Sequence, residues 1–124
     1  RETKYLFLMA NNTYTKEPEP LCGFLFKRGD KRKNWKRRFF RIVDSTLVSY
    51  YAREHDAKPL GVITLTKQTK VLQDIEEQLP LPSNCFPDGL FHIATPSRVY
   101  HLVASSKTEK LRWMEYFRQQ LGFL

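Results

Sequence analysis

The sequence predicts a mainly β domain of seven antiparallel strands, arranged as a sandwich or flattened barrel and capped at one end by a single C-terminal helix. Two observations carry this prediction. From Leu21 onward, short runs of aromatic and β-branched residues alternate with Gly, Pro, Asp and Ser. The last segment instead repeats apolar residues at helical spacing. A length of 124 residues fits about one domain, and a hydrophobic content of 41% supports a folded core.

Residues 1–20 are predicted to be a leader or linker, and residues 21–122 the domain itself. The apolar run Tyr5–Met9 precedes a Pro-Glu-Pro segment, in which each proline disfavours helix at the residue before it. The run is either the end of a preceding domain or a strap packed on this one, and both interpretations stay open. Because the chain begins at Arg1, we expect it to be a fragment of a longer protein.

Seven strands are predicted between the leader and the helix, each bounded by turn-forming residues. In chain order they are Gly23–Lys27, Arg37–Val43, Thr46–Ala52, Leu60–Leu65, a weaker Val71–Ile75, Leu90–Thr95 and Val99–Ala104. The last two strands form a hairpin around the tight turn Thr95–Arg98. The longest irregular piece, residues 78–89, contains three prolines.

The final segment is predicted to be one amphipathic helix of roughly 14 residues that ends near Gly122. Ser106 and Glu109 have the spacing of a capping box, in which each side chain bonds to the backbone N–H of the other residue. The apolar face is predicted to consist of Leu111, Met114, Phe117 and Leu121, widened by Trp113.

The positive charge is concentrated in one stretch, Lys27–Arg41. It holds nine of the 21 basic residues and one of the 13 acidic residues, so the remaining 12 basic residues balance the remaining 12 acidic ones. The whole net charge of +8 therefore lies in fifteen consecutive residues. Such a concentration indicates that an anion binds there.

Strand alternation divides this stretch, because side chains two residues apart share a face. In each of the first three strands, an inward apolar row ends in hydrogen-bond donors, and antiparallel order brings these row ends to the same rim. The donors are Lys27, Lys36, Arg38 and Tyr50. An arginine can hold a phosphate through two parallel N–H bonds, and the lysines act as mobile point charges. We therefore predict a site for a compact polyanion such as a phosphorylated ring.

The other basic residues are assigned lesser roles. Arg28, Lys31, Arg32 and Lys33 top the rim and are predicted to attract an anionic membrane, each adding about 1 kcal/mol near the surface. The loop tip carries no large apolar residue, so deep insertion of this loop into lipid is not supported. Arg37 and Arg41 have the outward parity and are predicted to be ordinary surface charges. Arg53, His55 and Lys58 are candidates for additional contacts without a firm register.

Six pieces in this order resemble the pleckstrin homology (PH) domain family. They are Gly23-x-Leu25-x-Lys27, Trp35–Phe40, Val48–Tyr51, Leu60–Leu65, Phe91–Arg98 and Trp113-Met114. The resemblance implies a seven-stranded sandwich capped by the helix, with a lipid headgroup bound at the loop between the first two strands. The run from Lys27 to Arg38 is similar to members that bind 3-phosphorylated inositides, and Tyr50 matches the family's phosphate-binding tyrosine. Some strong binders have an extra hairpin between the last two strands that supplies further headgroup contacts; Thr95–Arg98 is a tight turn, so we expect those contacts to be missing.

The resemblance implies a cytoplasmic module that binds phosphoinositides and recruits its parent protein to the plasma membrane. The implied lipids are phosphatidylinositol 3,4,5-trisphosphate or the 3,4-bisphosphate, and the order of preference, including the 4,5-bisphosphate, stays open. The alternative is a protein-interaction domain that docks a small GTPase or another part of its parent and binds anionic lipid only weakly. Nucleic-acid binding is disfavoured, because Phe40 is assigned inward and the charge converges on one rim.

The sequence contains no recognisable catalytic or metal-binding motif. There is no nucleophile elbow and no Gly-rich phosphate loop followed by Lys-Ser or Lys-Thr, so we predict no enzyme and no cofactor. Cys22 and Cys85 are predicted to be free thiols, and His92 and His101 to be structural. The four together give no metal-ligand spacing.

Overall fold

The computed structural model describes residues 21–124, and the predicted leader lies outside the described residues. The elements in chain order are β1 (Cys22–Arg28), β2 (Trp35–Asp44), β3 (Leu47–Tyr51), β4 (Gly61–Thr64), β5 (Lys70–Leu72), a 3-10 turn (Pro87–Gly89), β6 (Leu90–Ala94), β7 (Val99–Val103) and α1 (Lys107–Gly122). The predicted seven strands and C-terminal helix are therefore confirmed. Within residues 21–124, no helix is both long enough and apolar enough to cross a membrane.

All seven strands form one antiparallel sheet in the order β4-β3-β2-β1-β7-β6-β5. Strands β1 to β4 form one meander and strands β5 to β7 form a second. Pairing of β1 with β7 joins the two. Lys27 lies opposite Lys36 of β2 on one side and opposite Leu102 of β7 on the other. This register places the start of β2, the end of β1 and the start of β7 at the same end of the sheet.

The sheet folds around a single core, because inward side chains from its distant strands share one buried cluster. Ile63 of β4 and Phe91 of β6 both belong to this cluster, although four strands separate their own strands in the sheet. The helix adds Trp113 and Phe117, whose rings stack with centroids 5.7 Å apart. The Trp113 ring also meets Phe40 of β2 edge-on at 6.3 Å. The helix therefore covers the core, as predicted. It does not cover the end of the sheet where β1 ends and β2 begins.

The start of the helix confirms half of the predicted capping box. Ser106 is the N-cap, and its side-chain oxygen accepts a hydrogen bond of 3.1 Å from the backbone N–H of Glu109. The Glu109 carboxylate does not complete the box in this structure. It accepts instead from Arg112, with an Nη2 to Oε1 distance of 3.0 Å.

The predicted buried face of the helix is wrong at Leu111, which is 46% exposed. The buried residues of the helix are Lys110, Trp113, Met114, Phe117 and Gln120. At about 100° per residue, Leu111 lies roughly 120° from the centre of that face. The large Trp113 and Phe117 rings set the centre of the contact, so a leucine three residues before Met114 falls on its exposed edge.

The strand boundaries differ most from the predicted ones in β2 and β5. β2 begins at Trp35, because its pairing with β1 continues as far as Arg28. β5 is only three residues long, and the chain leaves the sheet after Leu72. The irregular segment that follows returns to the end of the sheet where β2 starts, and there the Trp35 indole Nε1–H donates to the Pro80 carbonyl at 2.7 Å.

Candidate functional site

A cavity of about 320 Å³ opens where β1 ends and β2 begins. We call it the basic pocket. It is lined by Lys27, Gly29, Arg32, Asn34, Lys36, Arg38, Tyr50 and Leu60. The structure therefore brings the four predicted donors, Lys27, Lys36, Arg38 and Tyr50, to one cavity. None of the described residues lining it carries a carboxylate.

Strand register explains why these donors meet. Arg38 of β2 pairs with the buried Leu25 of β1, and Tyr50 of β3 pairs with the buried Phe40. Each donor continues an inward row beyond its last apolar side chain, at the end of the sheet that the helix does not cover. The four donors line the basic pocket, and Tyr50 also packs against the buried core.

Lys27 is the most enclosed of the four donors, with 9% of its surface exposed. Its ammonium lies 4.6 Å from the centroid of the Tyr50 ring, a cation–π contact. No carboxylate of residues 21–124 lies within ion-pair distance of it. Burial, and then the positive charges of Arg98 and Arg38, lower the pKa of Lys27 to about 8, and Asp30 offsets this only in part. Among residues 21–124, the positive charges around Lys27 thus outweigh the negative ones.

Tyr50 contacts this lysine through its ring and lines the basic pocket. Its ring packs against Phe40 with centroids 5.5 Å apart, and its hydroxyl lies directly against Gly61. A Cβ at position 61 would collide with the phenol, so glycine is needed to let Tyr50 occupy this place. Burial raises the pKa of Tyr50, and the neighbouring Tyr100 raises it further. The Tyr50 hydroxyl therefore keeps its proton at neutral pH and can donate a hydrogen bond.

The β1–β2 loop closes on itself beside the basic pocket. The Gly29 N–H donates to the Asn34 carbonyl at 2.8 Å, and the Asn34 N–H donates to the Arg32 carbonyl at 2.7 Å. Among the predicted rim residues, Arg32 lines the pocket, and Lys31 and Lys33 are exposed on the loop. Arg28 does not line the pocket. It is half-buried and has the opposite parity to Lys27 along β1.

The three candidates between β3 and β4, namely Arg53, His55 and Lys58, are exposed and do not line the pocket. Arg53 instead pairs with Asp56, with a distance of 3.5 Å between Nε and Oδ1. The residue of this connection that does reach the pocket is Leu60.

Arg37 and Arg41 face outward, as predicted, but they are not ordinary surface charges. The Arg37 guanidinium stacks 3.6 Å from the centroid of the Phe24 ring. The Arg41 guanidinium lies 4.9 Å from the Tyr51 ring and donates to the Glu54 carbonyl at 3.1 Å. Both side chains therefore cover aromatic rings on the outer face of the sheet.

Arg98 is a basic residue close to Lys27 that was not among the predicted site residues. It precedes β7, where Arg98, Tyr100 and the buried Leu102 share a row, and Leu102 pairs with Lys27. Its guanidinium lies 4.1 Å from the Tyr100 ring, and its Nη1 lies 4.0 Å from Asp30 Oδ2. Its buried Nε has no hydrogen-bond partner among the described residues. The Thr95–Arg98 turn is tight, as predicted, with the Thr95 N–H donating to the Arg98 carbonyl at 2.8 Å, and it ends in a cation close enough to lower the pKa of Lys27.

The two strand histidines face each other away from the basic pocket. His92 and His101 are opposite in the β6–β7 register, and their Nδ1 atoms lie 2.9 Å apart. Burial first, and then His101, lower the pKa of His92 to about 4, and burial likewise lowers the pKa of His101. At neutral pH the pair is therefore uncharged, and one ring donates to the other. This arrangement agrees with the predicted structural role.

The cysteines of the described chain are both free thiols, as predicted. Over residues 21–124, no three His, Cys, Asp or Glu side chains gather closely enough to hold a metal ion.

Comparison with known proteins places this geometry in a family. The PH domain family model matches residues 20–122. Mouse pleckstrin homology domain-containing family A member 2 is 32% identical over 115 residues, which cover 93% of this chain and 26% of that protein. The chain thus spans about a quarter of the relative's length.

Two solved structures share the fold at 28% sequence identity. The PH domain of human TBC1 domain family member 2 superposes with a TM-score of 0.68, covering 90% of this chain and 87% of that one. The C-terminal PH domain of pleckstrin, solved in complex with D-myo-Ins(1,2,3,4,5)P5, gives a TM-score of 0.62, with coverages of 81% and 95%. The PH domain is a non-catalytic module. With its family model matched over nearly all of the described residues, this chain belongs to the PH domain family.

Proposed function

We propose that the chain is a phosphoinositide-binding module that recruits its parent protein to membranes. The observation that carries this proposal is the enclosed ammonium of Lys27, which has no carboxylate partner among residues 21–124 and shares its cavity with Lys36, Arg38 and Tyr50. Charges arranged without counterions are stabilised when an anion enters. A related PH domain, that of pleckstrin, was solved with an inositol pentakisphosphate, which supports the same ligand class here.

The ligands we propose are phosphatidylinositol 3,4,5-trisphosphate and the 3,4-bisphosphate. Arg38 holds one phosphate through two parallel N–H bonds, and Lys27 with Lys36 neutralises the neighbouring phosphate. The Tyr50 hydroxyl donates a further hydrogen bond. The three exposed cations of the β1–β2 loop, Lys31, Arg32 and Lys33, add about 2–3 kcal/mol of general attraction to an anionic leaflet. The proposed place of action is the cytoplasmic face of the plasma membrane.

A second candidate function is docking of a protein, such as a small GTPase or another part of the parent chain. It is favoured by the outer face of the sheet, where the Arg37 guanidinium stacks on Phe24 beside a cavity of about 240 Å³. Arg37→Ala separates the two functions. Lost localisation in cells together with unchanged lipid affinity would favour protein docking over lipid recruitment.

The direct test is calorimetric titration of the protein with the soluble headgroups of the 3,4,5-trisphosphate, the 3,4-bisphosphate and the 4,5-bisphosphate. We expect saturable binding of one headgroup per chain, with the two 3-phosphorylated headgroups preferred. The same headgroup should displace the protein from vesicles that contain the matching lipid. Vesicle binding that resists such competition would show that the attraction is only general charge and would contradict the proposal.

Binding should also depend on pH near the pKa of Lys27. Because that pKa is about 8 in the free protein, Lys27 is mostly charged at pH 7 and mostly neutral at pH 9. A polyanion favours the charged form and raises the pKa, so affinity falls as pH rises. We expect a loss of about tenfold between pH 7 and pH 9, measured with a headgroup whose phosphates stay ionised throughout. A flat profile would contradict the role of Lys27.

Arg98→Ala tests the cation that lies close to Lys27. We expect headgroup affinity to fall about fivefold, as for loss of one charge near the ligand without a bidentate bond. Because Arg98 is the second-largest cause of the lowered pKa of Lys27, its removal should also shift the midpoint of the pH profile upward. Titrations of the variant at several pH values measure both effects. An unchanged midpoint would mean that Arg98 does not act on Lys27.

A further inference from the structure

Leu60 is an exposed apolar side chain at the edge of the basic pocket. It is 56% exposed, and of the large apolar residues exposed in residues 21–124 it is the one that lines the pocket. Its position is fixed by the backbone, because its N–H donates to the Tyr50 carbonyl at 2.8 Å. Its exposure therefore follows from the pairing of β3 with β4.

The surroundings of Leu60 are cationic. Arg32 and Lys36 are exposed and line the same cavity, and the exposed Lys58 lies two residues before Leu60 in the chain. A protein surface that combines an apolar side chain with cations suits an anionic bilayer. There the cations meet lipid phosphates and the apolar group reaches the boundary of the acyl chains. Single exposed leucines are common on protein surfaces. Leu60 differs from them because it lies at the edge of a cavity lined by cations.

We propose that Leu60 is a bilayer contact, which enters the lipid interface when a phosphoinositide headgroup fills the basic pocket. This inference rests on the proposed function, because a headgroup still attached to its lipid brings the edge of the pocket against the membrane. The tip of the β1–β2 loop has no large apolar residue to do the same. Leu60 therefore supplies apolar affinity that the soluble headgroup cannot report.

The test compares Leu60→Ala with Val43→Ala. Val43 is also 56% exposed, but it lies near the opposite end of β2, roughly 23 Å along the strand from Lys36. Each variant is titrated with phosphatidylcholine vesicles that contain a small fraction of phosphatidylinositol 3,4,5-trisphosphate, and separately with the soluble headgroup. We expect Leu60→Ala to weaken vesicle binding about five- to tenfold, as for loss of half a buried leucine side chain. Its affinity for the soluble headgroup should fall by less than about twofold, because the leucine side chain donates no hydrogen bond to phosphate, and Val43→Ala should change neither value.

Each outcome decides the inference. Equal losses in both titrations would place Leu60 in headgroup binding instead of the bilayer and would overturn it, as would unchanged vesicle binding. Either result leaves the proposed function standing as long as the wild-type protein binds the headgroup. Wild-type protein that binds neither the headgroup nor the vesicles would overturn the proposed function and this inference with it. The ratio of the wild-type vesicle affinity to that of Leu60→Ala should be the same at low and high salt, since an apolar contact is not screened.

Discussion

Arg38→Ala is expected to weaken binding of a 3-phosphorylated headgroup by about a hundredfold or more. Arg38 stands on β2 opposite the buried Leu25, so its guanidinium is held at the wall of the basic pocket. Each charge-assisted hydrogen bond contributes about 1.5–3 kcal/mol, and a bidentate contact with a phosphate loses two of them at once. Calorimetric titration of the soluble headgroup measures the loss without any contribution from the membrane.

Arg37→Ala is the matched control for Arg38→Ala. The two arginines are neighbours on β2, but Arg37 faces the outer side of the sheet and stacks on Phe24. Arg37→Ala removes the same formal charge from the same strand as Arg38→Ala. We expect its headgroup affinity to stay within about twofold of the wild-type value, since exposed charges further from the ligand are screened. Comparable losses in both variants would show that the chain binds by net charge, and the assignment of a specific pocket would fail.

The meeting of Lys27, Lys36, Arg38 and Tyr50 could be predicted because strand alternation is a local rule. Once β1, β2 and β3 are recognised and ordered as hairpins, the direction of each side chain follows from its position in the strand. The same rule places Arg28 on the opposite face from Lys27, so its assignment to the rim overlooked its parity. No long-range information was needed for these residues.

Arg98 and Leu60 needed information that the sequence does not display. Arg98 comes close enough to Lys27 to lower its pKa because β7 pairs with β1, which lies some 75 residues earlier, and neither strand shows which partner it takes. Leu60 looks like the first apolar residue of a strand, yet it falls before β4 and points to solvent. Leu111 was misplaced for a related reason, since the bulk of Trp113, and not the spacing of leucines, sets the buried face of the helix.

Lys27→Met is expected to stabilise the fold and to weaken headgroup binding at the same time. The charged lysine is buried without a carboxylate partner in the described chain, and its pKa of about 8 lies below the ordinary value of 10.5. The unfolded chain therefore binds more protons than the folded one between these values. Wild-type stability rises with pH across that window, and the full cost of the charge is present below pH 8.

Methionine fills a volume similar to that of lysine and carries no charge. The variant therefore avoids the unfavourable free energy of burying the charged ammonium. The cation–π contact with Tyr50 offsets part of the gain, and we expect a net stabilisation of about 1–2 kcal/mol at pH 7, or roughly 4–10 °C in Tm. Headgroup affinity should fall about 10- to 100-fold, as for loss of one charge-assisted bond to phosphate. Thermal unfolding at pH 7 and pH 10, together with headgroup titration, measures both effects.

The pH dependence distinguishes this explanation from simple repacking of the pocket. If the charge of Lys27 is the cause, the stability difference between the variant and the wild type is large at pH 7 and shrinks toward pH 10, where the wild-type lysine is neutral in the folded state. A difference that stays constant with pH would assign the gain to packing. A destabilised variant would mean that Lys27 is a structural residue, because a side chain kept for ligand binding lowers stability where a structural one raises it.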